Sequence, residues 1–179
     1  MFRDRFDYIL GAALALLLVA LAGLFLGGAG ADRGPRQTVD RGLERESQAR
    51  ARVAYLDQLY APVVALQEAG QDQQALLKLQ ELERSYPGEA HGEMLRAASL
   101  YRLGALEEAV SATARGIRLR GDYLDRRSPL SRRPAIEALV KEAVPRLGER
   151  ARSNPGNSSL ASALKEAYYL QSRLAGGCE

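Results

Sequence analysis

Three kinds of marker recur along this chain at a spacing of 34 residues, and that period limits its architecture more than any other feature. Gly70 and Gly104 form one set, Ala75, Ala109 and Ala143 a second, and Pro87, Gly121 and Pro155 a third. Each set has a physical role. A Gly just past a helix takes the left-handed conformation cheaply and turns the chain. An Ala on the inner face lets two helices approach closely, ridges into grooves. A Pro or Gly after the second helix breaks it. The segments 68–90 (EAGQDQQALLKLQELERSYPGEA) and 102–122 (RLGALEEAVSATARGIRLRGD) carry the markers in this order. One helical hairpin cannot bury its apolar face alone, so the period predicts stacked hairpins. The chain has no Trp and little β-branched content, whereas Ala, Leu, Glu, Gln and Arg abound, a mixture that favours helix. The expected fold class is all-α, with one domain's worth of chain after Ala31.

These residues resemble the tetratricopeptide repeat, a helix-turn-helix unit of the same length. In that family a Gly closes the first helix (here Gly70 and Gly104), an Ala sits where the helices touch (Ala75, Ala109, Ala143), and a Pro follows the second (Pro87 and Pro155, with Gly121 as a substitute). The small residue of the first helix is Ala97 in the second unit but Val63 in the first, and Leu66, Leu100 and Tyr168 take the large apolar position. The resemblance implies a short α-solenoid of antiparallel helix pairs, with units at about 56–89 and 90–123, a degenerate one at 124–157, and a capping helix at 158–175. Unrelated helical hairpins are the other account of the same markers.

The departures carry expectations of their own. Pro62 lies inside the first unit's first helix, so a kink or a fresh start is expected there, with Pro62 at or near the first helical position. Residues 40–60 read as a charged helix, and Gly34-Pro35 as a joint within a linker at 32–39. Pro129 and Pro134 make 124–134 a loop. A helix at about 135–152, with a kink at Pro145, then leads to the Asn154-Pro155-Gly156 turn. The last helix begins with Ser158 or Ser159 as its cap. Its Leu160, Leu164, Tyr168 and Leu174 would cover the final face.

Ahead of the repeats, Ile9 to Leu26 form an uncharged apolar run, and with the small residues up to Ala31 it is long enough to cross a bilayer. After a short tail at 1–8, residues 9–31 read as an uncleaved transmembrane anchor. The run exceeds the core of a signal peptide, Asp4 and Asp7 dilute the cationic start of Arg3 and Arg5, and Phe2, Phe6 and Tyr8 sit where headgroups lie. Ala29-Gly30-Ala31 does supply a small-x-small site, so the alternative is an exported soluble chaperone or binding module released after Ala31. Gly23 and Gly27 form a GxxxG row that lets two membrane helices approach, either another copy of this chain, giving a homo-oligomer, or a partner subunit. Arg33, Arg36, Arg41 and Arg45 tilt the charge balance toward a cytoplasmic domain, while the short tail and the Ala-Gly-Ala site point outward. The expectation is a single-pass protein of a bacterial inner membrane with its soluble domain, residues 40–179, in the periplasm.

The family's partners dock in the groove lined by each unit's first helix. By position that face holds Tyr60 and Gln67 from the first unit and His91, Met94, Tyr101 and Arg102 from the second. Aromatics, Met and Arg are enriched at protein interfaces. Tyr60, Val64 and Tyr101 could instead merely pack on the helix 40–60 and close the groove. The Asn- and Lys-rich pattern of members that clamp a C-terminal carboxylate is missing. A second candidate is a basic run of Arg115, Arg118, Arg120, Arg126, Arg127, Arg132 and Arg133 against Asp122 and Asp125, a solvated surface or an attractor of acidic partners. Tyr123 is its only aromatic, so nucleic acid is not expected. The net charge of +3 agrees with that. A single Cys, Cys178, excludes an internal disulfide framework and reads as inert. One His, no phosphate-binding Gly loop, no dinucleotide fingerprint and no HExxH give no sign of catalysis, a metal or a cofactor. The function expected is a non-catalytic membrane-tethered scaffold or adaptor binding a protein partner, as an accessory or assembly subunit of an integral membrane complex.

Overall fold

The computed structural model describes residues 35–176 together with Leu14 and Leu17, with side chains from residue 46 onward and at those two leucines. The described residues form six α-helices and no strand: α1 (Pro35–Glu68), α2 (Asp72–Ser85), α3 (Ala90–Arg102), α4 (Leu106–Leu119), α5 (Arg133–Ser153) and α6 (Ser158–Leu174), with a 3-10 turn at Gly121–Tyr123. The chain divides into two units, Met1–Ser47 and Gln48–Glu179. In the first, Leu14 and Leu17 are helical and largely exposed. Among the described residues no helix is long and apolar enough to cross a membrane. The rest of the apolar run, with Gly23, Gly27 and the Ala31 site, lies outside the described residues, as does Cys178.

In the second unit the period appears as repeated geometry. Gly70 and Gly104 have φ of +71° and +79°. Gly70 N–H donates to Gln67 O (3.1 Å) and Gln71 N–H to Leu66 O (2.8 Å). Thirty-four residues on, Gly104 N–H donates to Tyr101 O (3.0 Å) and Ala105 N–H to Leu100 O (2.9 Å). Both turns thus satisfy the last carbonyls of a helix with the same pair of bonds. Ala75, Ala109 and Ala143 are all fully buried. Tyr86, Arg120 and Asn154 close the following helices with bonds to the carbonyl four residues back, each just before Pro87, Gly121 or Pro155. A Cβ at Gly104 would meet open space, so Gly104→Ala strains only the backbone. It is expected to cost about 1–2 kcal/mol in thermal melts of the full chain in mild detergent. An unchanged melt would remove the left-handed turn as the reason for glycine there.

The next position in that series is Ala138, which has a Cβ and lies inside α5. No left-handed residue interrupts the chain there, so no hairpin forms and the 21 residues run on as one helix. Pro134 sits in its first turn, where a missing N–H costs nothing. Pro145 and Pro62 stand inside continuous helices, so no fresh start occurs at Pro62. Both prolines are exposed, which leaves water to satisfy the carbonyls they free. The charged helix expected at 40–60 and the first unit's first helix are therefore one element. The linker also ends early, because α1 opens on Pro35 rather than after residue 39. At α6 the cap is Asn157, not a serine: its side chain accepts from Leu160 N–H at 3.0 Å. Leu160, Ala163, Ala167 and Leu170 form the buried face of α6, and Tyr168 is exposed.

Two apolar cores result. The end of α1 packs on α2 and α3 through Leu56, Tyr60, Val63, Ala75, Leu79 and Leu95. The larger core gathers α3, α4, α5 and α6, with α4 touching the other three. Small residues on α4 permit this: a Cβ on Gly116 would stand 2.8 Å from the Met94 sulfur.

Candidate functional site

A cleft of about 250 Å³ opens between the end of α1, α3 and the first half of α5. Met94, Leu95, Ala97, Ala98, Ile136 and Leu139 make it mostly apolar, and Gln67, Tyr101, Arg102 and Arg132 supply polar groups. Four of the six residues expected in a groove (Gln67, Met94, Tyr101 and Arg102) therefore do line one cleft. Three of those are already engaged. Gln67 Nε2 donates to Leu95 O and to the buried Ser99 Oγ, both at 2.8 Å, and so pins α1 to α3. Tyr101 Oη donates to Glu142 of α5, which raises the phenol's pKa. Arg102 Nε donates to both Asp72 oxygens, at 3.0 and 2.9 Å, and holds that buried carboxyl below its usual range. A carboxylate in the first turn of α2 and a guanidinium in the last turn of α3 also suit their helix dipoles.

Tyr60 and His91 are not on this surface. They are 2% and 4% exposed and meet as tilted rings with centroids 5.2 Å apart, while Tyr123 lies beyond, its Oη 3.1 Å from His91 Nδ1. A Cβ on Gly92 would fall 2.9 Å from Tyr60 Oη, so glycine is what admits the ring. This file of rings joins the two cores, since Tyr60 belongs to one and Tyr123 to the other. Burial raises both phenols to about 12. It lowers His91 to about 4, with Arg132 adding to the effect. Tyr60 and His91 are thus buried between the two cores and take no part in the cleft.

The basic run is largely neutralised. Arg115 pairs with Glu93 (2.9 Å), Arg118 with Glu166 (3.3 Å), Arg120 with Asp122 (2.6 Å), Arg127 with Asp125 (3.8 Å) and Arg133 with Glu137 (2.8 Å). Arg118 also lies 4.7 Å above the Tyr169 ring, and Arg133 donates to Leu174 O at the end of α6. Glu93 and Glu166 come from α3 and α6, far from the run in sequence. Arg126 and Arg132 make no ion pair with any described residue, and of the seven only Arg132 reaches the cleft.

No family model, no curated protein and no solved structure matches this chain. The site must therefore be read from its own chemistry. Among the described residues no group of His, Cys, Asp and Glu is placed to hold a metal. Thr113, the one hydroxyl deep in the cleft, donates to Ala109 O at 2.8 Å. What this lining can do is bind a partly apolar group beside a cation. Sequence reasoning missed the α5 wall of Ala135, Ile136, Ala138 and Leu139. The signal available for it was the loss of glycine at the third position of the series.

Proposed function

We propose that the protein is a non-catalytic, membrane-tethered scaffold or adaptor that binds a protein partner in the cleft between α1, α3 and α5, as an accessory or assembly subunit of a membrane complex. The cleft carries the reading: the first helices of two successive 34-residue units meet there around an apolar floor, with polar groups at the mouth. That is how a tetratricopeptide-like array presents a binding face. The uncharged run from Ile9 to Leu26, within which Leu14 and Leu17 are helical and exposed, supports the tether.

Site-specific crosslinking in cells tests the binding face. A photoreactive residue at Ala98, in the cleft, should give a discrete adduct, and the same residue at exposed Leu77 should not. Equal labelling from both positions would sink the proposal. Intact mass of the membrane-extracted chain tests the tether, and a mature start at Asp32 would replace it with the exported alternative.

A further inference from the structure

We propose that the segment bound in the cleft presents a side-chain carboxylate to Arg132, directly beside an apolar side chain that fills the floor between α3 and α5; this rests on the cleft being the binding face. The cleft holds about 250 Å³, room for a large side chain. Its floor of Met94, Ala97, Ile136 and Leu139 selects an apolar one.

Charge fixes the neighbour. No Asp or Glu lines the cleft, whereas Arg102 and Arg132 both do. Arg102 is already held by Asp72 on three hydrogen bonds. Arg132 has no carboxylate among the described residues, and its backbone N–H donates to Tyr123 O at 2.8 Å, which anchors it at the mouth. A basic segment would meet the uncompensated Arg132 charge. A neutral one would cover a cation without pairing it, which costs more than leaving it in water. A carboxylate can take both arms of the planar fork and repays its own desolvation best. Burial first and the Arg132 charge next lower the pKa of His91, so the ring lies within electrostatic reach of the cleft.

His91 is the chain's one histidine, so its ring signals in an NMR spectrum are unambiguous. The full chain in dodecyl maltoside would be titrated with three capped tetrapeptides that differ at one position: Ala-Leu-Glu-Ala, its Gln analogue and its Lys analogue. The Glu peptide should shift the His91 signals saturably and bind about tenfold tighter than the Gln peptide, with the Lys peptide weakest. Arg132→Gln should erase that preference. Arg126→Gln, which removes the other unpaired arginine of the same segment, should keep it. If all three peptides bind alike and Ala98→Leu still blocks them, the binding face stands and the carboxylate inference falls. If none shifts the His91 signals saturably, the inference is overturned, and crosslinking from Ala98 decides separately whether the cleft binds a protein.

Discussion

Tyr123→Ala is expected to destabilise the helical array by about 3–5 kcal/mol, in the range found for deleting a fully buried aromatic ring. Tyr123 is the largest of the fully buried side chains among the described residues, and it occupies the corner between α4 and the segment leading to α5. Removing it opens a cavity beside His91 and takes away a neighbour of the Nδ1 atom. Tyr123 O also receives the Arg132 N–H, so the backbone there loses the ring that fixes it. The melting temperature of the full chain in mild detergent should fall on the order of 10–20 °C. Tyr123→Phe keeps the ring and forfeits one hydrogen bond, and should cost only about 1 kcal/mol. Equal losses in the two variants would show that the hydroxyl, not the packing, matters.

Acid is expected to produce the second large effect. His91 has an ordinary pKa of 6.5 and is lowered to about 4 in the folded chain, by burial first and by Arg132 next. Above pH 6.5 it is neutral in both states and its contribution to stability is complete. Between pH 6.5 and about 4 the unfolded chain takes up the proton and the folded one does not, so stability falls by on the order of 3 kcal/mol. Asp57 and Glu89 oppose the shift and Arg52 adds to it, so the whole charged surround of the ring sets the size of the loss. Asp72, held below 3.8 by Arg102, extends the loss at lower pH. Denaturant titrations from pH 7 to 4 would measure the slope. His91→Phe should flatten it in that window, and an unchanged slope would clear His91 of responsibility.

Much of this fold was legible because backbone geometry is written in few letters. Gly70 and Gly104 announce left-handed turns, and Ala75, Ala109 and Ala143 announce close crossings. The prolines were less readable. Whether Pro62 or Pro145 stops a helix depends on whether the freed carbonyl faces water, which is a property of the packed molecule. The cap of α6 slipped by one residue because Asn157 and Ser158 are both good caps and only the turn geometry chooses between them. The candidate site divided in the same way. Period and position found Gln67, Tyr101 and Arg102 at the cleft, but sent Tyr60 and His91 to a surface they do not reach. Ring contacts across helices have no sequence period. The basic run misled for a related reason: its main neutralising partners, Glu93 and Glu166, are supplied by α3 and α6.

Ala138 ties two properties of the molecule together. A stack of like units has no internal reason to end, and most such stacks need a separate device to stop growing. Here the stop lies within the period itself, where a methyl group stands at the third position that two glycines lead one to expect. Because the chain does not turn there, α5 lies along the mouth of the groove, and Ala138 becomes part of its wall. One residue thus marks both the place where the repeated turns cease and a wall of the cleft. A chain that turned there would lose that wall, so the number of hairpins and the shape of the cleft are coupled.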